Sequence, residues 1–185
     1  EIILDFDFEF EQALTSKLNL YLSSNQESVY QLLTSFSQYF DKLNKENAII
    51  FTPHYITNPH PSYSDKDLFT QSERDELFKN CYGNGKYCVE GFVNNSKSIK
   101  VDPSIIIEEN LIQKCIYHQG INKKDNTLYF RYMLEFYDNC YSSTDFTKKC
   151  GENAINHLNI DKDDIIQCVE RSFNYSTTDE SKLIK

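Results

Sequence analysis

The chain has no tryptophan and a single methionine, and only five glycines and four prolines among 185 residues. So few chain breakers leave helices to dominate the connected segments. No apolar run approaches the ~20 residues that a membrane helix needs. No lysine or arginine stripe offsets a net charge of −9, so the chain repels phosphate backbones and anionic membrane surfaces, and nucleic-acid binding is excluded as a reading. Glycine-rich phosphate loops and a G-x-S-x-G nucleophile turn are both missing. No two cysteines form a C-x-x-C pair, which removes zinc ribbons and thioredoxin-type redox motifs.

What is present fits a folded domain. Hydrophobic residues make up 39% and charged residues 25%, a globular rather than a disordered balance. Aromatics reach 14%, all of them Phe and Tyr. The length suits one ordinary domain, or one domain with a sizeable insertion. The chain opens on Glu1 without a signal peptide, and the expectation is a processed or excised piece of a larger product.

Six cysteines, Cys81, Cys88, Cys115, Cys140, Cys150 and Cys168, all lie beyond residue 80. An even number in this arrangement reads as three structural disulfides in an oxidising lumen; six reduced core cysteines is the plainer alternative. Cys140 and Cys150 resemble one arm of a twin-cysteine helical hairpin, but that pattern needs a second such pair, and none exists. Two glycosylation sequons, at Asn94 and Asn174, agree with a luminal or extracellular setting.

Residues 2–10 alternate: Ile2, Leu4, Phe6, Phe8 and Phe10 on one side, Ile3, Asp5, Asp7 and Glu9 on the other. This predicts a strand with one buried face. The acidic row diverges along a flat strand and reads as solvated, not as a calcium site. After a polar stretch, apolar residues at three- and four-residue steps from Val29 to Leu43 predict a helix over 27–43. Residues 47–56 return to strand, completing a parallel strand–helix–strand crossover. Residues 58–103 read as irregular, with a turn at Gly83-Asn84-Gly85 suited to closing a small disulfide loop. Helices are predicted from Asp102-Pro103 to Gly120 and over 127–139, 145–158 and 162–173. Asp161 caps the last, whose buried face is marked by Ile165, Ile166, Val169 and Phe173. Residues 174–185 carry no strong signal.

Six cysteines allow fifteen pairings. A short loop favours Cys81–Cys88. If the four helices run up and down, Cys115–Cys168 and Cys140–Cys150 satisfy the ~7 Å reach of a disulfide most simply.

Candidate chemistry is sparse. His54, His60, His118 and His157 lack metal-ligand spacing, and a hydrogen-bonded structural role is the default for His54 at a strand end. Asp161, Asp163 and Asp164 complement a helix dipole instead of forming a catalytic pair. No catalytic, metal or cofactor residue is expected.

Several motifs carry a family resemblance. Leu4-Asp-Phe-Asp-Phe-Glu-Phe10, Phe51-Thr-Pro-His-Tyr-Ile-Thr57 and Asn84-Gly-Lys-Tyr-Cys88 are three of them. Gln113-Lys-Cys115, Cys150, Asn159-Ile-Asp161 and Ile166-Gln-Cys168 supply a matching spacing of cysteine-bearing helices. Together they resemble the luminal region of plant-type vacuolar sorting receptors. The resemblance implies an α/β, thioredoxin-like strand-helix-strand unit in residues 1–57. It further implies a cysteine-containing, mostly α-helical insertion over 58–173 and a polar tail or start of another element at 174–185. The C-terminal β-hairpin of the fold is expected to be absent from this chain.

Departures from the pattern narrow the expectation. Where a redox-active relative places C-x-x-C after the first strand, Glu11–Lys17 holds no thiol. Further family cysteines and a tryptophan pair are missing, and no cargo-recognition residue transfers. The implied function is a non-catalytic luminal domain of a sorting-receptor-like membrane glycoprotein, serving as a protein-binding or spacer module. The expected partners are other proteins, cargo or assembly components, with membrane contact only through other parts of the parent chain. The alternative is a structural subunit of an extracytoplasmic or cell-surface assembly; a thiol oxidoreductase is the third and least favoured.

Overall fold

The computed structural model describes residues 3–7, 15–23, 27–58, 70, 72, 81–82, 86–89, 92–94, 99–141 and 146–173. Three strands form the main sheet: β1 (Ile3–Asp7), β2 (Ser16–Leu22) and β3 (Ile49–Tyr55), in that spatial order. β1 pairs antiparallel with β2, Ile3 opposite Tyr21, and β2 pairs parallel with β3, Leu18 opposite Phe51. Helix α1 (Glu27–Lys45) makes the crossover between the two parallel strands.

This revises the expected crossover. The strand that enters α1 is β2, which lies in the stretch read as polar, and not the strand at residues 2–10. Its alternation of Leu18, Leu20 and Leu22 with Lys17, Asn19 and Tyr21 is a genuine period of two. Polar neighbours obscured it. The leucines are buried at 5% exposure or less, and Phe51, Pro53 and Tyr55 extend the same buried face on β3. The expected burial of one face of the first strand lies outside what is described for that strand's side chains.

α1 forms as its apolar periodicity requires. Val29, Tyr30, Leu33 and Phe40 are buried, and Lys42 and Lys45 sit favourably in the last turn. The helix ends through Asn47, whose φ of 52° is the left-handed conformation that asparagine tolerates. Ala48 N then donates to Leu43 O at 2.8 Å, satisfying an end carbonyl.

Between β3 and the helical half lie two short hairpins in a region read as irregular. β4 (Cys81–Tyr82) pairs with β5 (Tyr87–Cys88), and β6 (Phe92–Asn94) with β7 (Ile99–Val101). The turn at Gly83-Asn84-Gly85 lies outside the described residues.

Four helices follow: α2 (Pro103–Lys123), α3 (Leu128–Phe136), α4 (Lys148–His157) and α5 (Lys162–Phe173). A π-helical turn, Tyr137–Tyr141, extends α3. Asp102 holds the N-cap position of α2 without a side-chain capping bond, whereas Asp161 Oδ1 accepts from Asp164 N at 3.2 Å and caps α5. Thr147 caps α4 through Cys150 N.

α2 does not stop at Gly120; it runs on to Lys123 and closes at Lys124 with a φ of 59°. Gly120 is needed for close approach. A Cβ there would stand 2.7 Å from Asp125 O and 3.3 Å from Leu128 Cβ, at the turn into α3. Gly120→Ala is therefore expected to destabilise by about 1–3 kcal/mol, although alanine favours helix by about 1 kcal/mol. Equilibrium urea unfolding measures the difference, and a stabilised variant would show that the turn yields.

One core joins the sheet to the helices. Phe40 and Phe130 ring centroids lie 4.4 Å apart, and Phe51 lies 4.9 Å from Phe130, locking α1, β3 and α3 together. α2 is central. Ile106, Ile107, Leu111, Cys115 and Ile116 are each at most 3% exposed, and polar residues on its other faces are buried as well.

Candidate functional site

In the strand–helix–strand unit, the position for a reactive thiol is the link between β2 and α1. In sequence that link reads Ser23-Ser24-Asn25-Gln26, so the Glu11–Lys17 placement is corrected to this segment, which also carries no cysteine. Every cysteine is paired. Cys81–Cys88 closes the β4–β5 hairpin, with Cα atoms 4.5 Å apart. Cys115–Cys168 joins α2 to α5 at 5.9 Å, and Cys140–Cys150 joins the π turn to α4 at 5.7 Å. Asn94 ends β6 opposite Ile99, while Asn174 lies outside the described residues.

The histidines are dispersed. His54 stacks on Tyr21 at 4.8 Å and lies 3.3 Å from Asn19 Oδ1 across the β2–β3 pair. His118 is half-buried, and burial, aided by Lys114, lowers its pKa. His157 Nδ1 lies 2.6 Å from Glu135 Oε1 at the surface. His60 lies outside the described residues. Among the described residues, no group of three or more His, Cys, Asp or Glu side chains is placed to hold a metal ion. Asp161 and Asp164 serve the start of α5, where Gln119 Nε2 donates to Asp164 Oδ2 at 2.8 Å.

The buried chemistry belongs to α2, and sequence reading missed it. Glu109 is 3% exposed, and its Oε1 accepts from Gln113 Nε2 at 2.9 Å and Tyr132 OH at 3.0 Å. Gln113 Oε1 accepts from Tyr55 OH at 2.7 Å, and Tyr129 OH lies 3.0 Å from Tyr55 OH. Since the Tyr55 proton is committed to Gln113, Tyr129 is the donor to Tyr55. Burial, against those two hydrogen bonds, raises the Glu109 pKa to about 8, so its carboxyl is protonated at neutral pH. Burial likewise raises the pKa values of Tyr55, Tyr129 and Tyr132. Gly151 on α4 leaves the room, since a Cβ there would lie 3.0 Å from Glu109 Oε2 and 3.2 Å from Tyr132 OH. The network is enclosed and links three elements. It holds the core together and offers no access to a substrate.

A second face of α2 seals the outer edge of β3. Ile56 N donates to Leu22 O, so alternate residues Phe51 and Pro53 turn their backbone groups away from β2. Tyr117 OH donates to Phe51 O at 2.7 Å and Lys114 Nζ to Pro53 O at 2.6 Å. Pro53 thus costs no ladder bond, because its missing N–H lies on the non-pairing side. Burial lowers the Lys114 pKa to about 8.

Asn110 is the exception to this satisfaction. It is 4% exposed, and neither its Nδ2 nor its Oδ1 has a hydrogen-bond partner. Leaving a buried amide unpaired costs about 1–3 kcal/mol. Asn110→Leu, close in shape, is expected to stabilise by about 1–2 kcal/mol in urea unfolding. Destabilisation would show that the amide makes a bond in solution.

An accessible concavity among the described residues lies elsewhere, between α2, α4 and α5. A cavity of about 250 Å³ has a floor of Ile112, Ile155, Ile165, Ile166 and Val169. Its rim carries Glu108, Lys148, Glu152, Lys162 and Glu170. Lys148 Nζ bonds Glu108 Oε1 at 2.6 Å, and Lys162 Nζ lies 3.1 Å from Glu152 Oε2. The hydrogen bond to Glu108, against partial burial, raises the Lys148 pKa. Ile166 stands 42% exposed here, so the predicted buried face of α5 is right for Ile165 and Val169 but not for Ile166, while the side chain of Phe173 lies outside what is described. The rim ion pairs join different helices, so no local spacing could have shown them.

Among the described residues, no helix is long and apolar enough to cross a membrane. Comparison with known proteins accounts for the arrangement. The profile of the vacuolar sorting receptor thioredoxin-like domain matches residues 11–184, taking in both the crossover unit and the disulfide-linked helices. The chain is 23% identical over 164 residues to vacuolar-sorting receptor 6 of Arabidopsis thaliana, covering 88% of this chain and 25% of that protein. It is 25% identical over 159 residues to vacuolar-sorting receptor 1 of Pisum sativum, covering 81% and 24%. With vacuolar-sorting receptor 4 of Arabidopsis thaliana it shares 28% over 130 residues, covering 69% and 19%. The chain therefore spans about a quarter of the length of the first two of these relatives. By the match over residues 11–184, this chain belongs to the family of vacuolar sorting receptor thioredoxin-like domains.

Proposed function

We propose that the chain is a non-catalytic domain in the endomembrane lumen or on the extracellular face. It would belong to a sorting-receptor-like membrane glycoprotein and bind or space protein partners there. One observation supports this reading above the others: all six cysteines are used to fasten structure, while the link between β2 and α1 carries no thiol. Thiol–disulfide exchange needs an accessible thiolate, and the site where the fold would present one lacks it. In this reading residues 1–57 supply the α/β part, 58–173 the fastened helical insertion and 174–185 the connection onward. Asn94 and Asn174 carry glycans, and protein partners engage the exterior.

Non-reducing peptide mapping of the parent protein purified from its own cells tests the compartment. Three intact disulfides with a glycan on Asn94 or Asn174 are the expected result. Free thiols throughout, without glycan, would overturn the luminal assignment. Insulin reduction by the purified domain should stay at the uncatalysed rate; turnover would overturn the non-catalytic assignment.

A further inference from the structure

We propose that Asn110, Lys114 and His118, one stripe of α2 beside the outer edge of β3, bind a small monovalent oxyanion of the formate or hydrogencarbonate type. The site goes beyond the receptor-domain reading and does not depend on it. Three observations converge on one place. Asn110 is 4% exposed, and both polar atoms of its amide lack a hydrogen-bond partner. Lys114 is 6% exposed, and its ammonium meets the neutral Pro53 carbonyl at 2.6 Å and the Tyr117 ring at 5.2 Å. Among the described residues no carboxylate pairs with it, whereas Lys148 and Lys162 each hold one. His118, half-buried, adds a second basic group, close enough for the Lys114 charge to act on it.

Helical spacing brings the three together. Residues four apart share one face, with Cβ atoms about 6 Å from each other, and helical side chains lean toward the N-terminal turn. The lysine stem therefore runs from its own turn toward that of Asn110, and His118 follows one turn behind. An ammonium carries three protons, of which Pro53 O takes one. An uncompensated buried charge is costly, and an anion held against it removes that cost.

The donors and acceptors choose the ligand class. One oxygen of the anion accepts from Lys114 Nζ and another from Asn110 Nδ2. A hydroxyl, where the anion keeps one, donates to Asn110 Oδ1, which favours hydrogencarbonate over formate. His118, at the half-buried end of the stripe, marks the way in from solvent. A net charge of −9 repels anions from the chain as a whole, so the site relies on these short-range bonds. That disfavours multiply charged anions and sets the affinity in the millimolar range.

Sodium formate and sodium hydrogencarbonate, titrated separately into the intact disulfide-bonded protein, are the probes, with sodium chloride holding the ionic strength constant. Amide NMR shifts read the contact. Saturable movement of the Asn110 side-chain amide and of the backbone amides around it is expected, tighter for hydrogencarbonate than for formate. Lys114→Met keeps the stem, removes the charge and is expected to weaken binding by about tenfold or more. Asn110→Leu is expected to weaken it by about threefold or more. The stabilisation expected of Asn110→Leu belongs to buffer without these anions, and it should shrink when the site is filled. Where Lys114→Met does not fold, His118→Gln at the half-buried end reports instead, again by about threefold or more. Shifts that grow without saturating, shifts confined to another surface, or affinities indifferent to these substitutions would overturn the site.

Discussion

Replacing Glu109 with glutamine is expected to stabilise the domain at pH 7 by an amount on the order of 3 kcal/mol, and to remove most of one pH dependence. The folded chain holds this carboxyl protonated to about pH 8, whereas the ordinary glutamate value of 4.5 describes it when unfolded. Between those pH values the native state binds the extra proton, so stability falls as pH rises. The contribution is complete below about pH 4.5 and is lost by about pH 8. At pH 7 the wild-type chain must take up a proton to fold, which costs on the order of 3 kcal/mol across the interval from 4.5. Glutamine keeps an acceptor at Oε1 for Tyr132 and Gln113 and needs no proton. For a domain of this size the gain corresponds to a rise in Tm of roughly 10 °C at pH 7. Urea unfolding of both proteins from pH 5 to pH 8 measures it. Stabilities that stay parallel over that range would show that Glu109 is ionised inside the fold. Lys114 acts in a separate window, since burial lowers its pKa to about 8 and its stability contribution rises only above that. The two effects do not overlap.

The same network marks the limit of what the sequence revealed. Periodicity located α1 and the four later helices, because each depends on neighbours three or four residues away. Asp161 was legible as a cap for the same reason, its partner Asp164 being in the next turn. β2 was hidden because half its residues face outward and are polar, which in isolation resembles a loop. Glu109, Gln113 and Lys114 look like the solvated side of an amphipathic helix. They are inside because α2 is enclosed on every face: β3 supplies Pro53 O to Lys114, while α3 supplies Tyr132 to Glu109. Those partners come from 61 and 23 residues away, and no local pattern encodes them. Gly120 had the opposite fate. Its lack of a side chain was legible, but as a helix stop, whereas the cause is the Asp125 carbonyl crowding its Cα. The cavity between α2, α4 and α5 was invisible for a related reason, since Ile166 shares the apolar stripe of Ile165 and Val169 yet stands exposed.

Removing Cys115 and Cys168 together, both to alanine, is expected to cost about 4 kcal/mol, the most of the three pairs. A cross-link stabilises chiefly by restricting the unfolded chain, and the restriction grows with the logarithm of the loop it closes. This bridge spans 53 residues of sequence, taking in α3, the π turn and α4. Cys140–Cys150 spans 10 and Cys81–Cys88 spans 7, for which the same relation gives about 3 and about 2 kcal/mol. Packing does not separate the upper two pairs, because Cys140 at 0% and Cys150 at 6% exposure are as buried as Cys115 at 1%, so the order rests on loop length. The expected fall in Tm for the Cys115/Cys168 double variant is roughly 8–16 °C. Thermal unfolding of the three double-alanine proteins, with the remaining bridges intact, ranks them. A larger loss from the Cys81/Cys88 variant than from Cys115/Cys168 would mean that the hairpin, and not the α2–α5 seam, is what the fold depends on.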